Sequence, residues 1–190
     1  ALFLVLKEQK GAQMQGGVVK IPLKLTSSAM RARFNERDGQ LYIAGLRGWQ
    51  TNAVKEGGFD RIRFTGRPLR MPTGLRAKKN GVEITFSEKL DPETANDAES
   101  FGVRAADILW THDYGSKEYK IGQRDVGRAA KPGWSDMKVT SAKLQADGRT
   151  VVLEISGMQP VHEMEISIDV ETVDGDEVRT KIWNTVHILD

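Results

Sequence analysis

The sequence predicts an all-β chain in two parts: a small antiparallel sheet over residues 1–71 and an immunoglobulin-like β-sandwich over residues 72–190. Three observations carry this reading. Apolar and polar residues alternate with a period of two in nearly every patterned segment. Asp-Gly and Asn-Gly pairs, the residues that tolerate the backbone of tight hairpins, recur at Asp38-Gly39, Asn80-Gly81, Asp147-Gly148 and Asp174-Gly175. A helix signal is confined to one stretch, DPETAND at 91–97.

In the first part, Val19, Ile21, Leu23 and Leu25 alternate with Val18, Lys20, Pro22 and Lys24, which predicts a strand over VVKIPLKL. Pro22 has no N–H to donate, so that strand belongs at an edge or carries a bulge. Met30, Ala32 and Phe34 alternate with Arg31 and Arg33. Asp38-Gly39 is then expected to form a two-residue hairpin turn, and the chain returns through QLYIAGL. The last strand of this part is FDRIRFTG, with Arg61 and Arg63 opposite Ile62 and Phe64. Four or five strands in about 70 residues make a sheet that is marginal alone and needs cover on its apolar face.

The second part opens with Asn80-Gly81 and the strand VEITF, where Val82, Ile84 and Phe86 share a face. In DPETAND, Asp91 suits a helix N-cap, Pro92 the first helical position and Glu93 the positive helix end, which predicts one short turn. Strands follow near 101–110, 137–144, 149–155, 164–173 and 177–188, with Asp147-Gly148 and Asp174-Gly175 turning the chain between them. MEISIDVE is the clearest: Met164, Ile166, Ile168 and Val170 point inward, Glu165, Ser167, Asp169 and Glu171 outward. Seven or so short strands at this spacing argue for the sandwich.

Composition narrows the function. Hydrophobic residues at 39% and charged residues at 28% are globular values. The absence of cysteine removes disulfides, thiolate metal sites and cysteine nucleophiles, and leaves the redox compartment open. ALFLVL at the start is too short to span a bilayer and lacks the basic flank and cleavage site of a signal peptide, so any export signal is expected upstream of Ala1. No membrane partner is expected. Residues 1–79 carry 16 Lys and Arg against 5 Asp and Glu, and residues 80–190 carry 12 against 21. Opposite charge in the two halves supports a boundary at the Pro- and Gly-rich GRPLRMPTG (66–74) and an attraction between the parts.

Two resemblances follow from longer motifs. VVKIPLKL, MRARFNERDGQLYIAGLRGWQTN and GGFDRIRFTGRP, in that order, resemble the end of the propeller in large secreted bacterial proteins related to quinoprotein glucose and sorbosone dehydrogenases. ITFSEKLDPETA, SAKLQADGRTVVLEI and KIWNTVHIL are similar to a bacterial immunoglobulin-like module that follows such a propeller. The resemblance implies that residues 38–66 close an incomplete β-propeller blade. Since a propeller needs several blades of about four strands, it also implies a C-terminal piece of a longer, secreted or periplasmic, redox-active protein. Its upstream domains are the expected partners. The catalytic and cofactor residues of those relatives belong to earlier blades, and haem attachment needs cysteines, so no catalytic residue, metal or cofactor is expected here.

His112, His162 and His187 lack zinc-motif spacing, and Asp169, Glu171, Asp174 and Asp176 lack calcium-loop spacing and are explained by a hairpin. Arg31, Arg33, Arg61, Arg63, Arg67 and Arg70 form a basic stripe without obvious interleaved aromatic rings, so nucleic acid is not the expected partner. The long connection 104–136 holds Trp110, Tyr114, Tyr119 and Trp134, rings that suit sugar stacking and make polysaccharide the second expected partner. Packing of those rings over the sandwich edge or against the blade is the preferred alternative. The leading expectation is a non-catalytic structural and interaction module. Carbohydrate binding through the aromatic loop is the runner-up, and a third reading places Arg47, Trp49 or Asn52 at a sugar or alcohol dehydrogenase active site.

Overall fold

A computed structural model of the chain describes residues 1–48, 53, 55–109, 112, 114–123 and 130–189. It is all-β, as the alternation predicts, and it divides into two compact units. The smaller comprises Ala1–Phe3 and Lys20–Leu69; the larger comprises Leu4–Val19 and Arg70–Asp190. The division falls at Leu69/Arg70, two residues before a cut at 71/72, and strands β1 (Phe3–Lys10) and β2 (Gln13–Lys20) lie almost wholly in the larger unit. Their hairpin turns at Gly11, whose φ of +56° is the left-handed conformation that glycine adopts without strain.

The smaller unit is a three-stranded antiparallel sheet of β3 (Arg31–Phe34), β4 (Leu41–Leu46) and β5 (Gly57–Ile62) in the order β3-β4-β5. Two local expectations are corrected here. The strand over VVKIPLKL stops at Lys20: Ile21 N–H bonds to Leu2 O at 2.9 Å and Leu23 N–H folds back to Ile21 O at 2.7 Å, a three-residue turn around Pro22. Asp38-Gly39 is not a two-residue turn either. Phe34 pairs with Leu41 across a six-residue loop, in which Asn35 N–H bonds to Gln40 O and Gly39 N–H to Asn35 O. The Asp38 carboxylate accepts from Gln40 N–H and Tyr42 O–H, which holds it below its usual range. On the sheet itself, Ile43 is buried while Phe34 and Phe59 are 73% and 70% exposed.

The larger unit adds β6 (Pro72–Lys78), β7 (Gly81–Phe86), α1 (Pro92–Ala95), a 3-10 turn at Ala98–Ser100, β8 (Phe101–Ile108), β9 (Glu118–Tyr119), β10 (Ser135–Met137), β11 (Val139–Leu144), β12 (Thr150–Ile155), β13 (Val161–Glu171) and β14 (Glu177–Val186). The division between Leu69 and Arg70 falls inside GRPLRMPTG, and the end of that stretch is already strand, since Pro72 pairs with Phe86. Two antiparallel sheets result, one in the order β1-β2-β14-β13-β8-β10 with β9 also on β8, the other in the order β11-β12-β7-β6. Each has one apolar face. Met164, Ile166, Ile168, Val170, Val178, Ile182 and Val186 are buried on the first, and Val82, Ile84, Phe86, Val151, Leu153 and Ile155 on the second. Two such faces within one compact unit form a two-layer β core.

Polar contacts close its sides. Glu8 on β1 accepts from Ala77 N–H at 3.0 Å, and Lys10, paired with Glu8 at 3.3 Å, donates to Ala77 O at 3.1 Å, so on the outermost strand β6 both backbone groups of Ala77 are satisfied by side chains of the other sheet. At the opposite end, Asp91 caps α1 as expected, Asp91 N–H bonds to Glu171 O, and Glu171 N–H bonds to Thr94 Oγ1. The short helix therefore fastens the end of β13.

Candidate functional site

Alternation along β13 sends Glu165 to the face opposite Met164 and Ile166, the outer face of the larger sheet. Register then builds a rung across five strands there: Val18 on β2, Trp183 on β14, Glu165 on β13, Arg104 on β8 and Asp136 on β10 are successive cross-strand partners. The Glu165 side chain, expected to be solvated, is only 7% exposed. Its Oε1 accepts from Arg104 Nε at 3.0 Å and Lys181 Nζ at 2.8 Å, and its Oε2 from Arg104 Nη2 at 3.1 Å and Trp183 Nε1 at 3.0 Å. Four donors fill the roughly four acceptor positions of a carboxylate.

Burial pushes the Glu165 carboxyl up, but hydrogen bonds from Lys181, Arg104 and Trp183 outweigh it, and the group is held below its ordinary value. A carboxylate so occupied is a poor proton acceptor. It serves instead to position its donors. The Arg104 guanidinium, fixed from one side by Glu165, lies 4.5 Å from the centre of the Trp134 ring, a cation–π contact.

Glu165, Arg104, Trp134 and Trp183 border an open groove of about 900 Å³ that runs along β1, β2, β13 and β14. Its floor at β2 is low because Gly16 and Gly17 carry no side chain; a Cβ on Gly16 would meet Leu6 O at 1.9 Å, and its φ of +143° also disfavours other residues. Farther along, Glu118, His162 and Glu163 line the groove. Burial, and the nearby Glu118 charge, raise the Glu163 carboxyl, with His162 acting in the opposite sense. His162 Nδ1 accepts from Ile108 N–H at 2.9 Å, which assigns the proton of the neutral ring to Nε2. The buried Asp107 carboxylate stands 3.6 Å from the same nitrogen.

Of the aromatic residues singled out from the sequence, Trp134 lines this groove. Tyr119 sits half-buried on β9, where its backbone pairs with Asp107 and Pro132; Tyr114 is fully exposed; Trp110 lies outside the described residues. The four rings are thus not brought together as one described surface. Sequence reasoning passed over Trp183, Glu165 and Arg104. A signal existed for the first, since KIWNTV sets a large indole on the face opposite Ile182.

The remaining candidates find local roles. Asp169 forms a two-pronged pair with Arg179 on the adjacent strand, Asp176 pairs with Arg70 at 2.7 Å, and Asp174-Gly175 makes the β13–β14 turn. Among the described residues no group of three or more His, Asp or Glu side chains is placed to hold a metal ion. His112 and His187 are exposed, the latter at the groove rim. Arg31, Arg33 and Arg61 share one face of the smaller sheet by register. Arg47 is exposed, and Trp49 and Asn52 lie outside the described residues. Comparison with protein-family models, curated proteins and solved structures finds no match to this chain.

Proposed function

We propose that the chain is a non-catalytic structural and interaction module at the C-terminal end of a larger exported protein. In this reading the smaller unit is an incomplete propeller blade, and the larger an immunoglobulin-like sandwich. The observation that carries it is the smaller sheet: three short strands with Phe34 and Phe59 exposed, followed by an 84% exposed Phe64. A sheet of that size is marginal without a covered face, and by register Phe34 and Phe59 stand on opposite faces, so both sides of it expose a large apolar ring to further chain. The filled acceptor shell of Glu165 supports the non-catalytic part.

The test is hydrogen exchange on the chain alone and on the chain extended through its native upstream region. Backbone amides of β3, β4 and β5 are expected to gain at least about tenfold protection in the longer protein, as local opening becomes costlier. Equal exchange in both would refute the reading. Turnover of a sugar or alcohol by the chain with an added electron acceptor would refute its non-catalytic part and favour the dehydrogenase alternative.

A further inference from the structure

We propose that the outer-face groove of the larger unit binds a neutral polysaccharide chain, with Trp183 and Trp134 as stacking platforms. The proposal rests on the interaction-module reading and names the ligand class for it. A sugar ring offers an apolar C–H face and a belt of hydroxyls, each able to donate and to accept. Its site therefore needs flat aromatic surface together with both kinds of hydrogen-bonding group.

The groove has these in order along the sheet. Trp183, 38% exposed, stands on β14, and Arg104, two strands away on β8, carries Trp134 against its guanidinium. Two strand spacings are about 10 Å, the span of a short run of linked rings. Donors remain on Arg104, because only Nε and one N–H of Nη2 are engaged with Glu165. Acceptors are supplied by Glu118 and Glu163, whose carboxylates make no hydrogen bond among the described residues. The same two carboxylates discriminate against acidic sugars by like-charge repulsion. Glu165 holds Arg104, Lys181 and the Trp183 indole N–H in fixed positions, so little side-chain freedom is lost when a ligand seats.

The site differs from the aromatic loop that the sequence offers as a second reading. It lies on the sheet, and of the loop rings it uses Trp134. Affinity electrophoresis of the whole chain in gels containing hydroxyethylcellulose, xylan or galactomannan tests it, with polygalacturonate as the acidic comparison. Retardation by at least one neutral polymer is expected, weakened about tenfold in Trp183→Ala, the scale of one lost stacking contact. Glu118→Gln, a change at an exposed position that leaves the core alone, is expected to weaken it severalfold. No retardation by any neutral polymer, retardation unchanged in both variants, or tighter retention by polygalacturonate would overturn the proposal. Binding with cleavage of the polymer would sustain the groove assignment and refute the non-catalytic module, whereas absence of binding leaves the hydrogen-exchange result on the smaller unit untouched.

Discussion

Glu165 shows how far a side chain's neighbours can depart from its local pattern. By alternation it belongs to the solvated row of MEISIDVE, yet Arg104, Lys181 and Trp183 close over it and fill its oxygens. The linkage has a definite sign. Its folded carboxyl sits below the ordinary value of 4.5, so the stabilisation it contributes is fully present at neutral pH and is lost as pH falls below that value toward the folded one. Melting temperatures between pH 6 and pH 2.5 are expected to fall more steeply for the native chain than for Glu165→Gln. At neutral pH the variant should melt lower, because Arg104 and Lys181 then lack their shared counter-ion. Parallel acid limbs in the two proteins would show that the rung does not contribute in this way. None of this was legible in the sequence, since a period of two assigns a face but not the residues on adjacent strands. Trp134 was legible as a candidate; its stacking partner, thirty positions earlier, was not.

Single elements were read best where the chemistry is local. Asp91, Pro92 and Glu93 specify α1 without help from distant residues: the Asp91 carboxylate accepts from Glu93 N–H and Thr94 N–H, both at 3.0 Å. Asp91→Ala is expected to cost about 1 kcal/mol, or about 2–4 °C in melting temperature for a chain of this length, while Asp91→Asn, which keeps an acceptor, should stay close to the native value. Equal melting of all three would mean that the backbone bond from Asp91 to Glu171 suffices to hold the turn. The turns at Asp147-Gly148 and Asp174-Gly175 were equally visible, with φ of +69° and +80° at the glycines. Elements whose limits depend on partners were read poorly. Pro22 ends β2 although apolar alternation continues to Leu25, because a residue without an N–H and with a fixed φ redirects the chain. Strand β6 was hidden by the prolines and glycines of GRPLRMPTG, where Pro72 can open a strand at a sheet edge without forfeiting a needed ladder bond.

At the scale of the whole molecule, the all-β class was plain from turns and alternation, but the composition of the larger unit was not. Charge asymmetry and the Pro-Gly stretch mark a change along the chain; they do not show that β1 and β2 belong with strands more than 150 residues away. Pairing of Val18 with Trp183 and of Val19 with Ile182 places β2 against β14, and Leu6 and Val19 are buried to 2% and 0% exposure. Gln15 completes the join, accepting from His187 N–H and Ile188 N–H and donating to Ile188 O and Glu8. A chain cut at the apparent boundary, residues 72–190, would therefore lose two strands, β1 and β2, and leave β14 as a bare sheet edge. Each buried aliphatic side chain is worth roughly 2 kcal/mol, and the exposed ladder groups of β14 add to that cost. The shortened chain is expected to unfold at a clearly lower urea concentration than the full chain and to bind a hydrophobic dye, and a synthetic peptide of residues 4–19 added in trans should raise its midpoint as it re-pairs with β14. An unchanged midpoint in the shortened chain, or a peptide without effect, would mean that the hairpin only rests on the sheet and that the core of the larger unit is complete without it.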